Sequence, residues 1–170
     1  RRKQAQAIEV LDRARSAMEA SNYPEASSQF QKVAATYAGT DAAYEAILAL
    51  NQVRLLSGQA QLAVDELRKF VATSPPPRFA AAGHSHLAMA LENVGKPAEA
   101  TAEYLKAAEL APEAFRKADA FLSAARAYRQ QGKDKEAIAL LQDVVKNYPK
   151  EAAAVAEAQV RLAELTRGRI

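Results

Sequence analysis

Gly83-His84-Ser85-His86-Leu87 is the stretch of this 170-residue chain that looks most like a reaction centre. A Gly-x-Ser-x-Gly turn raises a nucleophilic serine out of a strand-to-helix elbow, which needs the second glycine and a preceding strand. Here Leu87 stands in the glycine's place, and the residues ahead of Gly83 carry a helical pattern. His84 and His86 also fail as a metal pair. Residues two apart on a helix diverge by about 200°, whereas helix-borne zinc pairs are spaced i, i+4. The register puts His84 in a helix core as a packed, hydrogen-bonded side chain. No Gly-x-x-x-x-Gly-Lys-Ser/Thr loop or Gly-x-Gly-x-x-Gly turn is present to cradle a phosphate, and there is no cysteine for a thiolate site or a thiol nucleophile. The acidic residues alternate with basic ones, as in Lys133-Asp134-Lys135-Glu136, which is the pattern of a solvated face. Catalytic, cofactor-binding and metal-binding residues are therefore all expected to be absent, and the chain is expected not to be an enzyme.

One period organises the elements that carry these residues. Alanines fall at 26, 63, 100 and 137, a constant step of 37. Gly58, Gly95 and Gly132 keep that step, with Ser21 in the first unit's equivalent place, and so do Pro75, Pro112 and Pro149. Glycine ends a helix by taking the left-handed conformation without a Cβ clash, and proline stops the second helix of a pair or opens the next connection. Each unit is thus a helical hairpin. The punctuation predicts nine helices, at 3–20, 24–37, 41–57, 60–73, 78–94, 97–110, 114–131, 134–147 and 151–167, with Thr40 or Asp41 as N-cap of the third. The predicted fold class is all-α: a right-handed solenoid of four hairpins (3–37, 41–75, 78–112 and 114–149) plus a capping helix, in one domain over 1–170.

Composition agrees with this fold and removes several function classes. Alanine makes up about a quarter of the chain and aromatics 6%, which suits helices packed closely through small side chains. In 137–148, Ala137, Ile138, Leu140, Leu141, Val144, Val145 and Tyr148 form a stripe wide enough to meet both a hairpin partner and the next unit. The net charge of +3 is no more than Arg1, Arg2 and Lys3 supply. The remainder is balanced, so a nucleic-acid partner is not expected. No run reaches the ~18 apolar residues that a membrane-spanning helix needs.

The repeat resembles the tetratricopeptide repeat (TPR) family. In the third unit the family's slots fall on His84, Leu87, Ala88, Leu91, Gly95, Ala100, Tyr104, Ala107 and Pro112, and in the fourth on Phe121, Ala124, Ala125, Tyr128, Gly132, Ala137, Leu141, Val144 and Pro149. The second unit is a looser match, with Asn51 and Arg54 in slots that are small and large apolar elsewhere. The first has Arg13 in the Leu slot and Ala38 in the Pro slot. The lengthened unit and sparse first repeat are similar in layout to bacterial cell-envelope TPR proteins of YfgM and BamD type. That likeness implies a bacterial envelope or periplasmic setting, with a signal or anchor ahead of Arg1. The basic start, of the kind found on the cytoplasmic side of a membrane span, leaves a cytoplasmic adaptor as the alternative.

The resemblance also implies a binding surface on the first helix of each hairpin. Its positions are Glu45, Leu48, Gln52 and Leu55 in the second unit, Ala82, Ser85, Met89 and Glu92 in the third, and Asp119, Leu122, Arg126 and Arg129 in the fourth. These lack the Lys and Asn set with which chaperone-binding TPRs clamp a C-terminal carboxylate. Leu48, Leu55, Met89 and Leu122, ringed by charge, would suit an apolar extended or helical segment; the plainer alternative is that the leucines pack between inner helices. The expected function is a non-catalytic protein-interaction scaffold in an envelope complex such as the translocon's, with self-association through the terminal helices as the alternative.

Overall fold

The computed structural model describes residues 1–167. Nine helices follow one another among these residues: α1 (Arg2–Glu19), α2 (Tyr23–Thr36), α3 (Asp41–Leu56), α4 (Ala60–Ala72), α5 (Pro77–Asn93), α6 (Pro97–Leu110), α7 (Ala114–Gln130), α8 (Asp134–Asn147) and α9 (Ala152–Thr166). The punctuation read from the sequence is the cause. Gly58, Gly95 and Gly132 take φ of +76°, +77° and +71°. Each is followed by an N–H that reaches back five residues: Gln59 to the Arg54 carbonyl, Lys96 to Leu91 and Lys133 to Tyr128, at 2.8, 2.8 and 2.9 Å. Such a closure satisfies the last carbonyls of the first helix. Ser21 makes the same turn at φ +58°, with Asn22 N–H to the Ala17 carbonyl at 2.8 Å. Thr40, not Asp41, is the N-cap of α3, its Oγ1 accepting from the Ala43 N–H at 3.2 Å.

Packing groups the helices into two compact units, Arg1–Pro75 and Pro76–Ile170. The boundary falls inside Pro75-Pro76-Pro77, where fixed φ angles and missing N–H donors hold the chain extended. Within the first unit, α1, α2 and α3 close around Leu11, Ala14, Phe30, Val33, Ala46, Leu50 and Val53. Within the second, α7, α8 and α9 close around Leu122, Leu141, Val144, Ala158 and Leu162. The four alanines of the 37-residue period, Ala26, Ala63, Ala100 and Ala137, are all at 0% exposure. At such fully buried positions a larger side chain would push helices apart.

Among the described residues, no helix is long and apolar enough to cross a membrane. Nor do three or more His, Asp or Glu side chains gather there closely enough to share an ion.

Candidate functional site

The second unit presents a cleft of about 270 Å³ lined by Ala125, Arg126 and Arg129 of α7, Leu141 of α8, and Arg161, Glu164 and Leu165 of α9. Arg126 follows Ala125 on α7 and Arg129 lies three residues on, one helical turn away. Arg126 is held from two sides. Its Nη2 donates to Glu92 Oε2 and to the Tyr104 hydroxyl, both at 3.1 Å, and the guanidinium stands 5.9 Å from the Tyr104 ring centre. Tyr104 in turn donates to Glu92 Oε2 at 2.7 Å, so α5, α6 and α7 meet in one polar network. Burial, then the hydrogen bond to Glu92 and its charge, push the phenol's pKa well up, so it stays a donor at any working pH.

Arg161 is oriented by Glu157 on its own helix and by the Leu122 carbonyl across the cleft at 3.5 Å. Arg129 has a looser tie. Its pair with Glu164 spans 3.2 Å, and both side chains are about half exposed. Exposed pairs of this kind contribute about 0–1 kcal/mol, so a competing carboxylate displaces Glu164 at small cost. Three guanidiniums therefore border an apolar bed of Ala125, Leu141 and Leu165, two of them fixed and one held by an exchangeable partner. The arrangement offers hydrogen-bond donors around an apolar floor, which is the chemistry of binding.

The residues expected from the sequence divide. Glu92, Arg126 and Arg129 belong to this polar surface, and Ser85 and Met89 are half-buried on α5. Asp119 is exposed at the side of α7, its carboxyl pKa raised by partial burial and then by Glu157, with Arg116 opposing. Leu122 is only 3% exposed, inside the α7–α9 core, and Leu48 is 8% exposed, so both serve to pack helices and present little to a partner. In the first unit, Glu45 pairs with Arg15 of α1, Gln52 is exposed and Leu55 half-buried. Arg161, Glu164 and Leu165 were not expected. They lie on the terminal helix, which the repeat pattern marks as a cap, yet Arg161 and Glu164 sit at i, i+3 like the pair on α7.

His84 is mostly buried, its Nδ1 2.5 Å from Glu103 Oε2. Burial raises the Glu103 pKa, but the bond and charge of His84 and then Lys106 outweigh it and hold the carboxyl below its ordinary range. His86 has a buried Nδ1 with no hydrogen-bond partner among the described residues, and burial lowers its pKa.

Asn51 and Arg54, the residues that weaken the second unit's likeness, are buried together. Asn51 Nδ2 donates to the Ile47 carbonyl at 2.9 Å, its Oδ1 accepts from Arg54 Nη1 at 3.2 Å, and Arg54 pairs with Glu66 of α4. This network joins α3 to α4 where the later units use Ala88 with Leu91 and Ala125 with Tyr128.

Paired helices closed by left-handed glycines, repeating every 37 residues, define a helical-hairpin repeat protein. Residues 79–150 match the tetratricopeptide repeat family. Residues 79–150 thus carry tetratricopeptide repeats, and the same hairpin recurs at the same step ahead of the matched stretch. Solved structures share the fold. MamA is 18% identical with a TM-score of 0.69, over 96% of this chain and 82% of its own. Nearly identical TPR-like repeats from Podosopora anserina are 22% identical with a TM-score of 0.74, over 95% of this chain and 86% of theirs. YrrB, described as a TPR protein with an unusual peptide-binding site, is 22% identical with a TM-score of 0.62, over 90% of this chain and 74% of its own. None of the curated proteins compared matches the chain in sequence.

Proposed function

We propose that this chain is a non-catalytic protein-interaction scaffold that holds a segment of a partner protein in the α7–α9 cleft of its second unit. The observation that carries the reading is the convergence of Arg126, Arg129 and Arg161 over Ala125, Leu141 and Leu165. Guanidiniums bind carboxylates and backbone carbonyls through forked donors, and an apolar floor takes the segment's side chains. The fold adds support, since TPR hairpins are a protein-binding architecture and the similar YrrB has a peptide-binding site. The setting in this reading is a bacterial cell-envelope complex, such as one associated with the translocon, as the sequence's resemblance in layout to YfgM-like proteins implies.

The test is co-purification from the cells that make the protein. The wild-type chain is expected to retain a partner at stoichiometric yield, and Arg126→Ala with Arg129→Ala to lose most of it while keeping its helical circular dichroism. Equal recovery by both chains, or recovery of nothing but the chain itself, would contradict the reading. Envelope proteins among the partners support the envelope setting, and cytosolic partners alone overturn it.

A further inference from the structure

The first unit holds a larger opening of its own, a pocket of about 550 Å³ among α2, α3 and α4. Its wall includes Ala34 from the end of α2, Ala38 from the turn that follows, Tyr44 and Ile47 from α3, and Phe70 from α4. The repeat shows what is missing from it. Two steps of 37, or 74 residues, carry Ile47 onto Phe121, Ser74 onto Tyr148 and Ala43 onto Lys117. In the second unit Phe121 packs against Ala107, Ala108 and Ala120. Tyr148 lies on Phe121 with ring centres 6.0 Å apart, and Lys117 Nζ closes the end of α6 by donating to the Ala108 and Glu109 carbonyls at 3.0 and 3.1 Å. In the first unit the corresponding side chains are an isoleucine, a serine and an alanine, and the space between the second helices stays open.

We propose that this pocket is a second binding site, which takes an aromatic side chain of a partner protein, one flanked by an acidic residue. An aromatic occupant follows from the comparison, because rings fill the sister position. It follows also from the wall, where Tyr44 and Phe70 present tilted rings with centres 6.1 Å apart, an arrangement to which a further ring adds edge-to-face contacts. The acidic neighbour follows from charge. Glu66 at the pocket is committed to Arg54, which leaves Lys69, exposed and without an ion pair among the described residues, as the unopposed charge at the mouth. Asp143 stands at the position 74 residues on. This site is independent of the α7–α9 cleft.

Titration of the 15N-labelled full chain with three blocked tripeptides, acetyl-Glu-Trp-Gly-amide, acetyl-Lys-Trp-Gly-amide and acetyl-Glu-Leu-Gly-amide, followed by amide chemical shifts, tests it. The Glu-Trp peptide is expected to move the amides of Ala34, Ala38, Tyr44 and Lys69. It should bind about threefold more tightly than the Lys-Trp peptide, the scale of one exposed ion pair, and about fivefold more tightly than the leucine peptide, the scale of an aromatic pair. Ala38→Trp, at an exposed position, should plug the pocket and abolish the shifts with the fold intact. Lys69→Glu should invert the order of the two tryptophan peptides, and Arg129→Ala should change nothing here. Absence of shifts at these amides, equal binding of the leucine peptide, or an unchanged charge order in Lys69→Glu would overturn the proposal. Loss of the shifts in Arg129→Ala would assign the peptide to the other cleft and overturn it as well.

Discussion

The two compact units are built from the same hairpin at the same step and are held together differently. In Arg1–Pro75 the joint between α3 and α4 is the buried network Asn51–Arg54–Glu66, and the space between the second helices is open. In Pro76–Ile170 the slots of Asn51 and Arg54 hold Ala88 with Leu91 and Ala125 with Tyr128, α5 is tied to α6 by His84–Glu103 and Glu92–Tyr104, and further side chains staple the helices. Gln131 Nε2 donates to Thr101 Oγ1 at 2.9 Å and to the Ala127 carbonyl at 3.0 Å, Lys117 caps α6, and Tyr148 lies on Phe121. A repeat thus fixes where helices lie, while the residues at a few slots decide whether the gap between them is core or cleft. The family resemblance follows the same division, since the matched residues 79–150 lie wholly in the second unit.

That contrast can be broken most sharply at Arg54. Arg54→Ala leaves Glu66 without its partner and Asn51 Oδ1 without its donor, and an expected loss of about 2–4 kcal/mol follows, less than for a fully buried pair because Glu66 is a third exposed. Urea unfolding with a probe in each unit checks it, and the first unit should unfold earlier with the second unchanged. An equivalent loss in both units would mean that the network is not local to α3 and α4. In the second unit, Tyr104→Phe removes the hydroxyl shared by Glu92 and Arg126 at an expected cost of about 1 kcal/mol. It should also loosen Arg126 in the cleft, readable as a larger exchange rate of the guanidinium protons by NMR.

Gly58→Ala and Gly95→Ala compare the same turn in the two units. A Cβ at either position meets nothing within 4 Å, so the only cost is the positive φ, about 1 kcal/mol each. Equal losses of melting temperature are expected, and unequal ones would show that the turns carry different loads.

Smaller still is the pH effect of His86. Its folded pKa lies below the ordinary value of 6.5 because burial disfavours the charged ring. Between the two values the unfolded chain binds more protons than the folded one, so stability is whole above about pH 6.5 and falls as pH drops from there toward the folded value. His86→Leu is expected to flatten the melting curve between pH 5 and 7, and an unchanged pH slope would exclude this histidine as its source.

Much of the fold is legible in the sequence because helix ends are written in local chemistry. Gly58, Gly95 and Gly132 end helices through φ alone, and Thr40 caps α3 with its own hydroxyl, so helix positions agree to within a residue or two. The division at Pro75–Pro76 is not legible in the period, because the repeat step runs through the prolines without a break. The site is legible in part. Helix register alone places Arg126 and Arg129 on one side of α7. Whether Leu48 and Leu122 face a partner or a neighbour depends on how closely adjacent helices approach, which alanine-rich packing settles in favour of burial. The part that α9 plays is not legible in the step, because 37 residues carry Arg126 and Arg129 onto Ala163 and Thr166, whereas the arginine of α9 stands at 161.

The most direct test of the central claim is site-directed photocrosslinking in the cells that make the protein, with a photoreactive residue replacing Glu164 at the cleft and a control replacing exposed Gln142 on α8. The account expects one protein partner crosslinked from position 164 through a single segment, none from position 142, and loss of that crosslink when Arg126 and Arg161 are changed to alanine. Crosslinks of equal yield from both positions, or a crosslink from 164 that survives without the two arginines, would contradict it.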